Sequence, residues 1–266
     1  MYRLVVSDID GTLIGKDEIL SDEAVALVQA LQAKGIKFTV ATGRVEEMAE
    51  SYVKKLGIQV PYIATNGATI LGNEHLYQRL QIPAAPLRAF INHADALGLT
   101  IIYTIEGKEF VWTVNEHIRK QQSRFNRYFN VHQFSDDEWN SLYIDKLSLI
   151  SEKDDASFSI LEKECMALGE PFGFTRYMDR SIEVVHKDAT KAKAVQTLSK
   201  ILDIPLTQVL FIGDHQNDID VMDVVGMGVA VSNSTEELKA KADYVCTNSM
   251  FFGVQEAIEK FVLSEQ

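Results

Sequence analysis

Cysteine is almost absent from this sequence: Cys165 and Cys246 are the only two in 266 residues. They stand far apart and lack metal-ligand spacing, which excludes a disulfide framework and a zinc motif and leaves two buried free thiols as the expectation. Long apolar runs are missing too. Nowhere do 18 apolar residues follow one another, and the first apolar run, residues 4–6, is broken by Asp8 and Asp10. A secretory core segment and a membrane helix are therefore not expected, and a reduced, cytoplasmic location is. Positive charge is also scarce. With 26 basic against 38 acidic residues and a formal net charge of −12, the chain carries no basic stripe that would attract a nucleic-acid backbone. No internal repeat or low-complexity segment is evident, and the oligomeric state is not readable.

What is present is an ordinary globular composition, 46% hydrophobic and 24% charged. The length suits one large α/β domain or two unequal ones. Residues 4–6 read as a buried strand that ends in the polar turn Ser-Asp-Ile-Asp-Gly-Thr. Ser21 offers a helix N-cap, followed by Asp22 and Glu23 in the first turn and by Val25, Val28 and Leu31 on one face. A strand at 37–41 breaks at Thr42-Gly43-Arg44, a helical stretch leads to Gly57, and a third strand covers 62–64. This βαβαβ order specifies a parallel sheet with helices on both faces and ligands at the carboxyl ends of its strands.

Between 83 and 187 the rhythm changes. Strands 100–105 and 110–113, and strands 172–177 and 182–186, read as antiparallel hairpins. Helices at 87–97, 116–129 and 156–168 and a strand at 146–150 complete an α+β insert. The α/β pattern returns with a helix at 191–202 and strands at 209–212, 228–231 and 244–246. The expected organisation is a core of residues 1–82 and 188–266, interrupted by an α+β cap at 83–187.

Asp8-Ile9-Asp10-Gly11-Thr12 stands where the first strand ends. A chance D-x-D-G-T in a chain of this length is expected on the order of once in several hundred sequences. A carboxylate accepts a phosphoryl group only if a cation offsets the charge of both, and a second acid two residues on can protonate the leaving alcohol and later deprotonate water. Asp10 suits that second role if its surroundings raise its pKa. Gly213-Asp214-His215-Gln216-Asn217-Asp218 follows another apolar strand and can reach the same mouth. Four carboxylates meeting there, Asp8, Asp10, Asp214 and Asp218, call for Mg²⁺, which prefers oxygen ligands. His215 reads as a loop residue rather than a ligand. Thr42 and Gly43, at a further strand end, offer a hydroxyl and an amide for phosphoryl oxygens. Lys191 opens a helix from which its ammonium can bridge nucleophile and phosphate.

These residues together resemble the haloacid dehalogenase-like hydrolases, in particular the Cof-type phosphatases of subfamily IIB. The resemblance rests on Asp8-Ile9-Asp10-Gly11-Thr12-Leu13, Ala41-Thr42-Gly43-Arg44, Asn66-Gly67-Ala68, Lys191 and Gly213-Asp214-x-x-Asn217-Asp218, in that order. It implies a Rossmann-like three-layer core with an inserted cap, and a cytoplasmic Mg²⁺-dependent phosphatase acting on small phosphorylated metabolites. It also implies roles. Asp8 is the nucleophile and a metal ligand; Asp10 is the acid/base, with its backbone carbonyl on the metal. Asp214 is the third protein ligand, and Asp218 holds the metal or its waters. Thr42, Lys191, Asn217 and the amides near Ile9 and Gly43 hold phosphate, while Arg44 and Asn66 are substrate candidates. Ala192 and the segment Val231-Ser232-Asn233-Ser234 depart from the usual pattern, which bears on substrate contacts.

Within this family Asp10 favours phosphate esters over halide displacement, since halide needs no proton to leave. A phosphomutase and a non-catalytic phosphometabolite-binding protein are the alternatives. Sugar phosphates, flavin or pyridoxal phosphates and nucleotide-like phosphates all fit the chemistry.

Overall fold

The computed structural model describes residues 1–72, 75–125, 128–152, 156–177 and 180–264. The chain divides into two compact units, residues 1–78 with 190–266, and residues 79–189.

The first unit opens with β1 (Leu4–Ser7), α1 (Asp22–Ala33), β2 (Lys37–Val40), α2 (Glu46–Leu56) and β3 (Tyr62–Ala64), followed by β4 (Thr69–Gly72) and β5 (His75–Arg79). Alternation along β1 sends Val5 into one apolar cluster, with Val28, Leu31 and Phe38, and sends Leu4 and Val6 into another, with Val195, Leu198 and Phe211. A strand buried on both faces is what a parallel sheet requires. Ser21 caps α1 as expected, its hydroxyl accepting from the Ala24 amide at 3.2 Å. The third strand behaves differently from the expectation of a simple parallel ladder. It meets the chain just past the end of β2 through the isolated parallel bridge Ala41–Ile63 and pairs with β4, antiparallel.

The second unit holds β6 (Ile82–Pro83), α3 (Arg88–Ala96), β7 (Thr100–Ile105), β8 (Lys108–Val111), α4 (Glu116–Phe125), β9 (Asn130–Val131), α5 (Asp136–Ser141), β10 (Tyr143–Ile144), β11 (Lys146–Ile150), α6 (Phe158–Leu168), β12 (Phe172–Tyr177) and β13 (Ser181–His186). Six of these strands form a sheet ordered β12-β13-β11-β7-β8-β9. Both expected hairpins pair antiparallel. Positions 178–179 of the second turn, 126–127 of the expected helix 116–129 and 153–155 lie outside the described residues. The core of this unit buries the aromatic residues Tyr103, Trp112, Phe134 and Trp139 among aliphatic ones such as Leu147, Leu149 and Ile182.

The chain then returns to the first unit with α7 (Lys191–Leu202), β14 (Val209–Gly213), α8 (Ile219–Met222), β15 (Met227–Ala230), α9 (Glu236–Lys241), β16 (Tyr244–Val245) and α10 (Met250–Ile258). The main sheet runs β16-β15-β14-β1-β2, every pair parallel. This is the α/β architecture the motif spacing predicts. Cys165 and Cys246 are both free and buried. Among the described residues no helix is long and apolar enough to cross a membrane.

Candidate active site

Adjacent parallel strands end on the same side of a sheet, so the residues that follow β1 and β14 emerge next to each other. The Asp8 amide continues the ladder by donating to the Ile212 carbonyl at 2.9 Å. Beyond it the chain winds into a turn in which the Ile9 carbonyl accepts from the amides of Leu13 and Ile14 at 2.9 and 3.0 Å. Gly11 sits in the left-handed region at φ +79°, and a β-carbon there would collide with the Asp214 carboxylate. This close approach lets the Thr12 hydroxyl donate to Asp214 Oδ1 at 3.0 Å.

Three carboxylates gather as a result. Oxygens of Asp8, Asp214 and Asp218 all lie within 4.8 Å of one another, and all three residues are buried. Lys191, in the first turn of α7 behind the Thr190 cap, places its Nζ 2.7 Å from Asp8 Oδ1 and 2.7 Å from Asp218 Oδ1. The second oxygen of Asp218 accepts from the amides of Asp214 at 3.0 Å and His215 at 3.2 Å. Asp218 is thus bound on both oxygens by the fold itself. His215 is exposed and stands outside the carboxylate cluster, as expected for a loop residue.

The electrostatics follow from this crowding. Burial pushes the Asp8 carboxyl well above its usual range, and the charges of Asp218 and Asp214 add to the rise although Lys191 opposes it. Asp214 is raised by burial and by Asp218, against the Thr12 hydrogen bond. Burial works against a charged Lys191, yet Asp218 and Asp8 outweigh it and hold the ammonium above the ordinary lysine value. One ammonium facing three carboxylates leaves the cluster short of positive charge. A pocket of buried hard oxygen donors with excess negative charge fits a divalent cation, so these three residues could hold a metal ion.

The residues predicted to bind phosphate lie at neighbouring strand ends. Thr42 is buried; its hydroxyl accepts from the Arg44 amide at 3.1 Å and keeps its own proton to donate. A β-carbon at Gly43 would lie 3.0 Å from Asn66 Oδ1, a tight contact where the Asn66 side chain crosses. Asn66, at φ +53°, accepts from Asn217 Nδ2 at 2.9 Å, which joins two of the predicted residues 151 positions apart.

Asp10 does not join the other three carboxylates. Its side chain is half exposed, and both of its oxygens are taken by Arg44: Nε to Oδ2 at 2.8 Å and Nη2 to Oδ1 at 2.6 Å. The expected meeting of four carboxylates is therefore a meeting of three, with the fourth held on the rim by a guanidinium. Arg44 also faces Glu18 Oε1 at 3.2 Å and lies over the Tyr52 ring, 4.9 Å from its centre. Sequence reading assigned no part to Thr12, Glu18 or Tyr52. Thr12 carried a signal through its place in the acidic turn; Glu18 and Tyr52 carried none.

Residues 5–258 match the family model of haloacid dehalogenase-like hydrolases. The chain is 25% identical over 264 residues to the 5-amino-6-(5-phospho-D-ribitylamino)uracil phosphatase YcsE of Bacillus subtilis, covering 98% of this chain and 96% of that one. It is 26% identical over 264 residues to a phosphoglycolate phosphatase of Methanobrevibacter smithii, covering 97% and 98%. Among solved structures, the subclass IIB sugar phosphatase BT4131 superposes with a TM-score of 0.82 at 24% identity, over 98% of this chain and all of the other.

Proposed function

The chain belongs to the family of haloacid dehalogenase-like hydrolases and is a phosphatase, and from that premise we propose that it hydrolyses small phosphorylated metabolites through a phosphoryl group carried on Asp8. The observation that carries the reading is the buried set of Asp8, Asp214 and Asp218 around the Lys191 ammonium. Mg²⁺ is the ion proposed for this set, held by Asp8, Asp214 and Asp218 with the Asp10 carbonyl. When bound, it supplies the positive charge that keeps the carboxylates ionised and draws a phosphate to them.

The chain's own residues then divide the work. Asp8 attacks phosphorus and the P–O bond to the substrate breaks, while Asp10 gives its proton to the departing oxygen. In the second half Asp10 takes a proton from water, which attacks the phosphoaspartate and releases inorganic phosphate. Lys191 holds Asp8 in place and offsets the phosphate's charge. The Thr42 hydroxyl, the Ile9 and Gly43 amides and the Asn217 carboxamide hold the phosphoryl oxygens, with Asn66 orienting Asn217. Relatives named for a ribityl-phosphate compound and for phosphoglycolate support a small phosphomonoester as substrate.

Phosphate release across a panel of phosphorylated sugars, flavin and pyridoxal phosphates and nucleotides, with Mg²⁺ present, tests the reading. Turnover of at least one monoester by the native protein, and none by Asp8→Asn, is the expected result. Undiminished turnover in Asp8→Asn removes Asp8 as the phosphoryl carrier.

A further inference from the structure

We propose that Arg44 is a positioning residue for the acid/base Asp10, holding its carboxylate in a single orientation at the mouth of the site rather than binding the substrate's phosphate. This rests on the reading of Asp10 as the acid/base given above.

The geometry is a fork meeting a fork. Nε and Nη2 of Arg44 donate to the two oxygens of Asp10 at 2.8 and 2.6 Å. Such paired charge-assisted bonds fix direction as well as distance, which a single contact does not. The Asp10 side chain is 50% accessible on a turn whose residues Asp8, Ile9, Thr12 and Leu13 are buried, and both of its described side-chain hydrogen bonds come from Arg44. The Arg44 side chain, by contrast, is only 9% accessible.

Arg44 is in turn held on every side. Its amide donates to the Thr42 hydroxyl at 3.1 Å, and its carbonyl accepts from the Thr65 amide at 2.8 Å. The Tyr52 ring lies under the guanidinium at 4.9 Å, and Glu18 Oε1 takes a further contact from Nη2 at 3.2 Å. Tyr52 also donates its hydroxyl to the Glu18 carbonyl at 3.0 Å, locking the two supports together. Nε and Nη2 of the guanidinium are thus both directed at protein carboxylates, Asp10 and Glu18.

A residue that only orients the proton donor matters most when the leaving group needs a proton. The test is single-turnover and steady-state kinetics of the full-length, Mg²⁺-loaded protein on two monoesters. One is an alkyl phosphate, whose alkoxide cannot depart unprotonated; the other is 4-nitrophenyl phosphate, whose phenolate can. Arg44→Gln is expected to slow phosphorylation of Asp8 by the alkyl ester about tenfold more than by the nitrophenyl ester. The KM values and the inhibition constant of inorganic phosphate are expected to stay within about twofold. Arg44→Lys, a point charge in place of a fork, is expected to recover only part of the difference.

Equal losses on both esters with higher KM and weaker phosphate inhibition would overturn the proposal in favour of a phosphate contact. Equal losses with a lowered melting temperature would overturn it in favour of a structural role. Should Arg44→Gln not fold, Tyr52→Leu, which removes the ring beneath the guanidinium, carries the same comparison and the same outcomes. A native protein that forms no phosphoaspartate from either ester defeats the underlying mechanism, and is thereby distinguished from failure of this proposal.

Discussion

Lys191 and Asp218 form an ion pair in which neither side chain reaches solvent, with Nζ 2.7 Å from Oδ1. The same ammonium holds Asp8 at 2.7 Å. Removing one partner of such a pair strands the remaining charges in a site with little water to solvate them. Lys191→Met is therefore expected to cost about 3–5 kcal/mol of stability in metal-free protein, besides abolishing hydrolysis. Chemical denaturation in chelator measures it. A loss under about 1 kcal/mol would show that the cluster tolerates its own repulsion.

A second prediction concerns the ion that the cluster's charge calls for. Chelation is expected to stop phosphate release, and returning Mg²⁺ to restore it. Because the ion binds the folded chain, Mg²⁺ at about a hundred times its Kd should stabilise the protein by about 2.7 kcal/mol. Thermal unfolding with and without Mg²⁺ checks this independently of activity. Full activity in chelator, or a melting temperature indifferent to Mg²⁺, would contradict the assignment.

How much of this was legible in the sequence depends on how local each signal is. The acidic turns after β1 and β14 are short segments whose strands announce themselves by apolar runs, so Asp8, Asp214 and Asp218 could be brought together on paper. Helix α7 begins at Lys191, as expected, with the Thr190 side chain capping it. The Asp10–Arg44 pairing was hidden, because nothing in two motifs 34 residues apart says that their side chains point at each other. Thr65 and Asn66, at φ +51° and +53°, were equally hidden: a β-branched residue rarely adopts the left-handed region, so no propensity rule places it there. Strands β4 and β5 went unread because the segment 69–79 mixes apolar and polar residues without a clean period of two.

Outside the candidate site, Glu256 gives a pH dependence with a definite sign. Its partial burial would raise its pKa, but it accepts from the Thr247 amide and hydroxyl, the Tyr244 hydroxyl and the Asn248 side chain, which together hold it down at about 2. A depressed carboxyl stabilises the fold above its unfolded pKa, and that contribution fades as pH falls through the folded value. Stability should therefore fall between about pH 4.5 and 2. The carboxyl lies near the surface, so screening limits the effect to on the order of 1 kcal/mol. Glu256→Gln is expected to flatten this part of the stability profile, and urea titrations across the range measure it. An unchanged profile in the variant would assign the acid sensitivity elsewhere.

The last prediction separates two carboxylates that share one lysine. Burial raises Asp8, so at neutral pH its ionised form works against folding in the absence of a cation. Asp8→Asn removes one of three like charges while keeping an oxygen for Lys191, and the metal-free variant should be as stable as the native protein or more so. Asp218 differs, because its Oδ2 accepts two backbone amides while Oδ1 accepts from Lys191. An asparagine there turns one acceptor into a donor facing a donor, and a loss of about 1–3 kcal/mol is expected. Activity should order them the other way, with Asp8→Asn losing at least about 10⁴-fold as a missing nucleophile does. Paired denaturation and kinetic measurements on the two variants decide it. If Asp8→Asn proves the more destabilising, then Asp8 holds the fold together rather than storing the charge that chemistry needs.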